Sequence, residues 1–340
     1  TDQNSGYDQT RADFDFDRGS NTAATRIGSD GLLKKYRENK LLQSNNFGTT
    51  WANVNSSDTS GQEGYDGTTN AWLLTTTSAG GRLDQSVSLS GVQSFSIYAK
   101  ANTFDFIFLL GLGASDRRAN FDLANGVVAT TQNLIDSSIE SIGNGWYRCS
   151  LTYNDTISAV RVYGLQADND FSGTTGSIYI QNAQLESGLV STDYLDSTSV
   201  TGKAGVLVDL PRINYDANGE NGALLLEPSR ANLLQYSEYF SGWTKVDTTL
   251  THNYGFSPEG VKNSTRVQFA DSTAYMYIAP GGTSSGTYAS SIYIKGTAGE
   301  TIKFGKGGNI ASGAMHTLNG DWQRIEHITT DVGLSVHIST

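Results

Sequence analysis

The chain has 340 residues but only one cysteine, Cys149, and four prolines. A lone cysteine cannot form an intramolecular disulfide, so the fold does not depend on an oxidising compartment. Charged residues make up 17% of the chain, against about 25% in an average soluble domain. No apolar run approaches the ~20 residues of a membrane-spanning helix; Phe104–Gly113 is the most apolar stretch and reaches about half that length. Basic clusters are also missing. Lys34-Lys35-Tyr36-Arg37 and Arg117-Arg118 are short and isolated in a chain of net charge −11. Neutralising a phosphate backbone takes clustered Lys and Arg, so no nucleic-acid partner and no membrane insertion are expected.

Catalytic chemistry is equally thin. Histidine occurs only as His252, His316, His327 and His337, all in the second half. Without clustered Cys and His there is no zinc set. No serine sits in a G-x-S-x-G elbow. Gly305-Lys306-Gly307-Gly308 lacks the spacing and the trailing Ser/Thr of a phosphate loop. Glu63 and Asp66 find only Glu259 as a clear counterpart, and Glu140 and Glu186 are isolated, so paired carboxylates for glycoside hydrolysis are not indicated. Asp168-Asn169-Asp170 offers oxygen ligands of the kind calcium takes but lacks the rest of a calcium loop, and reads as a solvated turn. We expect no catalytic residues, no metal and no cofactor. Thr1 opens the chain without a Met or a signal-peptide pattern, which reads as a processed chain or a fragment of a longer polypeptide.

What the chain does contain is a duplication. Arg37, Asn39, Leu41, Ser44 and Phe47 recur as Arg230, Asn232, Leu234, Ser237 and Phe240, each shifted by 193. Asp66-Gly67 with Asn70 recurs as Glu259-Gly260 with Asn263. Ser96-Ile97-Tyr98-Ala99-Lys100 recurs as Ser291-Ile292-Tyr293-Ile294-Lys295, and the Gly145-Trp146 turn as the Gly320-Asp321-Trp322 turn. A repeat this long is a whole domain rather than a solenoid unit. The length fits about two domains of roughly 150 residues. Four segments follow: an extended arm over 1–38, a first module over 39–195, an extended connector over 196–230, and a second module over 231–340.

Both modules read as β. Strands are predicted over Ala71–Thr75, Leu83–Leu89, Ser94–Lys100, Phe104–Leu110, Gly145–Tyr153, Ala159–Leu165 and Ser177–Leu185, from β-branched and aromatic alternation. Turn pairs separate them: Asp66-Gly67, Gly80-Gly81, Asn125-Gly126, Asn144-Gly145 and Ser172-Gly173. Asn133–Ile142 has a weak helical look that its serine pair contradicts. Asp13-Phe14-Asp15-Phe16-Asp17 alternates as a short strand would. In the connector, Val206-Leu207-Val208 and Leu224-Leu225-Leu226 are short β runs. Many short strands with regular turns imply an all-β fold of tandem jelly-roll sandwiches joined by extended connectors. The closing strand of module one, Ile178 to Glu186, has no counterpart in module two as given, so module two reads as incomplete: either the chain shown is truncated or the sheet is completed by something else, and an edge left unpaired would invite pairing with another chain.

Two sets of residues carry a resemblance. Asp15-Phe16-Asp17-Arg18-Gly19-Ser20 through Thr25-Arg26-Ile27, and Pro211-Arg212-Ile213-Asn214-Tyr215 with Leu224-Leu225-Leu226-Glu227-Pro228, resemble the lead-in of bacteriophage tail-fibre and related virion proteins of the marine-phage type. The modules behind them resemble jelly-roll carbohydrate-binding modules, through the Asp66-Gly67-Thr68 turn, the Ser-Ile-Tyr-x-Lys strand, the Gly-x-Trp turn and the closing Ile-Tyr-Ile…Gln-Leu-Glu strand. The resemblance implies a non-enzymatic virion fibre or adhesin located on the phage particle. Its partners would be other virion proteins and a host-surface polysaccharide, and its assembly a homo-oligomer with a trimer favoured. Two alternatives stay open: a structural capsid or tail decoration protein that binds no sugar, and a polysaccharide-degrading tail protein. Glycan contact uses aromatic faces with amide, carboxylate and guanidinium partners, and the candidates are Trp51, Trp72, Tyr98, Arg161 and Tyr163. Trp51 recurs as Trp243 and Trp146 as Trp322, which favours core packing for those pairs. Trp72 is replaced by Thr265, which suggests a more exposed place.

Overall fold

Scarce proline, frequent β-branched residues and abundant glycine and asparagine at turn positions favour the antiparallel sheet. A computed structural model of the chain describes residues 19, 24–227, 231–279, 286–306, 313–330 and 336–339. The Phe14/Phe16 alternation and the first half of the lead-in motif lie outside the described residues. Among those residues the fold is all-β, with a single 3-10 turn at Phe240–Gly242.

The chain divides into two units. The smaller gathers residues up to Arg37, Lys203–Asn232 and Pro258–Gly260. Strands β1 (Thr25–Ile27) and β2 (Leu33–Lys35) form one hairpin. A strand β3 (Arg37–Asn39) leads out of it. The hairpin of the connector packs against the first in a reciprocal way. Arg26 donates to the Ile213 carbonyl at 3.3 Å and Arg212 donates to the Thr25 carbonyl at 3.2 Å. Their turns meet tip to tip. A Cβ on Gly219 (φ +76°) would lie 2.2 Å from the Ser29 carbonyl oxygen, so only glycine fits there.

The larger unit holds both modules. Module one contributes β4 (Ala52–Val54), β5 (Ser56–Gln62), β6 (Ala71–Thr76), β7 (Arg82–Leu89), β8 (Val92–Ala101) and β9 (Phe106–Gly113). It continues with β10 (Arg117–Asp122), β11 (Val127–Gln132), β12 (Asp136–Gly143), β13 (Trp146–Asn154), β14 (Ile157–Leu165) and β15 (Gly176–Ser187). These make two six-stranded sheets, β11-β10-β9-β14-β7-β4 and β12-β13-β8-β15-β6-β5. The alternation of every strand sends one set of side chains between the sheets. Leu74, Leu83, Phe95, Ile97, Leu109, Phe121, Leu151, Val162, Ile178 and Leu185 meet there, fully buried. Packing is close enough that a Cβ on Gly111 would sit 2.7 Å from the Tyr153 ring. Asn133–Ile142 is mostly strand β12, because the pairing of Ile139 with Cys149 overrides the weak helical look.

After module one come β16 (Gly202–Ala204), β17 (Ile213–Asn214) and β18 (Ala223–Leu224), the last two paired. The β run expected at Val206–Val208 is corrected here: the strand lies just ahead of it, and those residues pass through a bend and a turn. Module two contributes β19 (Thr244–Val246), β20 (Thr248–Gly255), β21 (Ser264–Phe269), β22 (Tyr275–Ile278) and β23 (Tyr288–Ile294). It ends with β24 (Thr301–Lys306), β25 (Ala314–Thr317), β26 (Gln323–Thr329) and β27 (Val336–Ser339). Its five-stranded sheet, β19-β22-β27-β24-β25, repeats the order β4-β7-β14-β9-β10 strand for strand. Among the described residues the other sheet is represented by the ribbons β20-β21 and β23-β26, the counterparts of β5-β6 and β8-β13.

The repeat fixes the role of the only thiol. Cys149 is fully buried on β13, opposite Ile97 and Ile139. Its counterpart Ile325 faces Ile292 in the same register. Burial pushes the Cys149 thiol well above its ordinary range, so the reactive thiolate is suppressed. Cys149→Ser is expected to cost about 1–3 kcal/mol through a buried hydroxyl without a partner, with Cys149→Val mild. Denaturant midpoints of the two variants check this, and rapid labelling of folded protein by a thiol reagent would contradict it.

Candidate functional site

The five candidate residues fall in three places. Trp51 is 4% exposed and packs on Phe47 at 5.2 Å inside the core, its indole donating to the Gln43 carbonyl. The expectation that Trp51 meets a glycan is therefore corrected, because a ring closed on both faces offers no platform. Trp72 is half-buried, edge-on to Phe47 at 6.0 Å, and donates to the Asn45 carbonyl at 3.0 Å. Module two fills that corner differently. Thr265 accepts the place of Trp72, and His252 lies beside it, 2.9 Å from Thr265 Oγ1 and 2.7 Å from Ser241 Oγ, with its ring 5.0 Å from Tyr239. Burial lowers the His252 pKa, and Lys245 adds to the effect while Asp136 opposes it. This is a serine–histidine contact, but the second ring nitrogen meets a hydroxyl rather than the carboxylate that orients a triad histidine.

Tyr98 points outward from the β8 sheet, as the alternation requires, and is nevertheless 9% exposed. Tyr65 stacks on it at 4.3 Å, and the Arg148 guanidinium lies 5.4 Å from its ring. The segment after β15 straps this face. Thr152 donates to the Leu189 carbonyl at 3.0 Å, Ser94 and Ser191 share a hydrogen bond of 2.6 Å, and Arg148 donates to the Thr192 carbonyl at 2.5 Å. The chain itself occupies the surface that a ligand of Tyr98 would need.

Arg161 and Tyr163 share the outward face of the other sheet. Val160 and Val162 point into the core, so 161 and 163 point away from it. The same reasoning sends Arg82 and Asp84 outward on either side of buried Leu83. Register lines up Arg118, Leu110, Arg161 and Asp84 across four strands, a row of about 14 Å at the usual strand spacing. A second row holds Asn120, Phe108, Tyr163 and Arg82. Asp84 bridges two guanidiniums: Arg82 Nε donates to Oδ1 at 2.9 Å and Arg161 Nε lies 3.3 Å from Oδ2. Arg118 has an acid, Asp116, only at 3.9 Å, and its Nε is buried without a hydrogen-bond partner. These side chains are partly open, at 22% for Arg82, 19% for Asp84, 25% for Arg161 and 31% for Arg118.

The second row is roofed. The β14–β15 loop lays Phe171 over Phe108 at 5.1 Å and Tyr163 at 5.4 Å. Its acidic stretch anchors it: Asn120 donates to Asn169 at 3.0 Å, Thr130 to Asp168 at 2.6 Å, and Ser172 Oγ to Asp170 at 2.5 Å. The oxygens weighed as calcium ligands are used in this way. Burial raises the Tyr163 pKa, while Arg82 and Arg161 pull the other way. Tyr163 thus supports the strip from beneath, and Arg82, Asp84, Arg118 and Arg161 form its open part. The sequence signal for the missed members was Arg82-Leu83-Asp84, an alternation inside a predicted strand.

Module two carries a different surface at the same place. Tyr275 and Tyr277 flank buried Met276 and stand in the positions of Arg82 and Asp84. Both are half-exposed, with ring centroids 6.0 Å apart and planes 28° from parallel. Lys303 and Met315 continue the Tyr275 row, and Met315 is 65% exposed.

No protein-family model matches the chain, and no curated protein matches it. Solved structures that resemble it include the xylanase 10B family-22 carbohydrate-binding and catalytic modules of Clostridium thermocellum in complex with xylohexaose, at 12% identity over 44% of this chain and 27% of that one, TM-score 0.27. The enzymatically active domain of tailspike protein 4 from bacteriophage CBA120 aligns at 12% identity over 43% of this chain and 21% of that one, TM-score 0.27. The tandem family-22 carbohydrate-binding modules of Xyn10C from Paenibacillus barcinonensis align at 14% identity over 89% of both chains, TM-score 0.28. The chain spans about a quarter of the length of the first two. At these scores the likenesses assign neither ligand nor activity, and the all-β sandwich architecture stands on the strand order itself.

Proposed function

We propose that the chain is a non-enzymatic glycan-contacting protein of a bacteriophage virion, and that it touches sugar through the outward faces of the β9–β14–β7 sheet and its counterpart in module two. The observation that carries this reading is the paired use of one face. Module one presents Arg82 and Arg161 paired with Asp84 and, at the far end of the same row, Arg118, and module two presents two partly exposed tyrosines with planes 28° apart. Planar donors and flat aromatic rings are the two surfaces that bind hydroxyl- and carboxylate-bearing rings. A strip with excess positive charge in a chain of net charge −11 favours an anionic polysaccharide. Binding per module is weak and made effective by multivalent display, which the expected trimer supplies.

Binding of the intact protein to acidic and neutral polysaccharides tests the reading. Arg161→Ala leaves Asp84 paired with Arg82, so the fold is retained, and it should weaken acidic-glycan binding by roughly 10-fold or more, as expected for losing a charge-assisted hydrogen bond. Tyr277→Ala should weaken binding to both classes. Failure of the intact oligomer to bind any of them favours the structural decoration alternative, and light scattering that shows a monomer removes the multivalent part.

A further inference from the structure

Strand β20 and its counterpart β5 both carry a bulge, and the two bulges differ by one residue. In module one Thr59 lies opposite Leu73 and Gln62 opposite Ala71, so Ser60 and Gly61 share Trp72. In module two Thr251 lies opposite Arg266 and Gly255 opposite Ser264, so His252, Asn253 and Tyr254 share Thr265. The shorter bulge touches little: Ser60 is exposed, and a Cβ added to Gly61 would meet nothing within 4 Å. The longer one sends its side chains to three places. His252 fills the Trp72 corner, Tyr254 is exposed under the Arg266 guanidinium, and Asn253 is buried.

Asn253 is buried against the other module. Its amide nitrogen donates to Asp136 Oδ2 at 2.8 Å and to the Leu189 carbonyl at 2.8 Å. Asp136 opens β12, the edge strand of its sheet, and its other oxygen accepts from Ser137 N. Leu189 is a buried part of the strap, and Thr152 already donates to the same carbonyl. Both N–H groups of the amide therefore go to acceptors that module one itself holds in place. Among the described residues the Asn253 side chain makes no hydrogen bond within module two, and its Oδ1 is buried without a partner. The backbone at Asn253 is left-handed, at φ +52°, a conformation that asparagine visits more readily than most residues but that still favours glycine. An orphan acceptor and a positive φ are local losses, and the contact across the joint is what accompanies them.

We propose that Asn253 is a positioning residue for the pair of modules. The three-residue bulge keys module two onto the edge strand and strap of module one, and the two modules turn as one body. Motion between neighbouring domains is the default unless their contact holds them. A bond to a carboxylate engaged through both oxygens is a strong and directional hold. Resting on the glycan reading above, a fixed joint sets one separation between the two faces and favours ligands that span it.

The test measures the distance between the modules in the intact protein without ligand, so its failure would leave the glycan reading standing. Val127 in module one and Ile328 in module two are both exposed. Val127→Cys and Ile328→Cys accept spin labels while buried Cys149 does not, and excess unlabelled protein leaves one labelled copy per assembly. Double electron–electron resonance should give one narrow distance distribution. Asn253→Gly keeps the backbone conformation and removes only the amide, and it should widen the distribution about twofold, towards the motion of domains without a hold. Asn253→Asp sets a like charge against Asp136 and should widen it at least as much. Asp136→Asn retains an acceptor oxygen and should leave it narrow. Hydrogen exchange at residues 288–294 and 323–329 checks that module two stays folded in each variant. Three results overturn the proposal: a distribution already broad in the unsubstituted protein, one that stays narrow in Asn253→Gly, or widening that comes with lost protection at those strands, which would make Asn253 a determinant of module two's own fold.

Discussion

Asn39→Ala is expected to cost about 3–5 kcal/mol, and the equivalent Asn232→Ala less than about 1 kcal/mol, since unsatisfied buried polar groups cost about 1–3 kcal/mol each and exposed positions little. Asn39 is fully buried and uses its whole amide. It donates to the Ala183 carbonyl at 3.1 Å and the Leu195 carbonyl at 2.9 Å, and accepts from Leu185 N at 3.1 Å and Leu41 N at 3.2 Å. Three of those partners belong to the closing strand or its strap. Alanine strands two buried N–H groups and two carbonyls, and the site is too enclosed for water to replace all four bonds. Asn232 stands at the same place in the repeat and is exposed. Urea unfolding of both variants measures the difference, and equal losses would mean that the two asparagines do the same work, against their unequal burial.

The duplication made much of this legible in the sequence. Shared spacing placed Asn39 with Asn232, Trp51 with Trp243, and Cys149 with Ile325; the last pair occupies matching strands, and both tryptophans are buried just ahead of β4 and β19. Alternation set Tyr98 on the face opposite Ile97 and Ala99. What it could not give was cover. Whether an outward residue meets solvent depends on loops that cross the sheet, and those are set by contacts distant in sequence, such as Arg148 to Thr192 over Tyr98 and Asn120 to Asn169 beneath Phe171. The Trp72 corner shows the same limit. Its loss in module two looked like exposure, yet the volume is taken by His252 from a neighbouring strand, a compensation between residues that no local pattern links.

Truncating the same motif residue in the two modules should give unequal losses that report how far each side chain is buried. Ile97→Ala removes a fully buried side chain from between β13 and β15, and about 3–4 kcal/mol is expected, within the range for isoleucine truncations that leave a cavity. Ile292→Ala sits at the same position of Ser-Ile-Tyr-x-Lys, opposite Ile325. Its side chain is only partly buried, so less apolar area returns to water and the remaining gap opens to solvent rather than forming a void. About 1–2 kcal/mol is expected there, in proportion to the area still buried. Thermal unfolding followed by hydrogen exchange assigns each loss to its module. If Ile292→Ala costs as much as Ile97→Ala, Ile292 is as tightly enclosed as Ile97 and the difference in burial does not hold in solution.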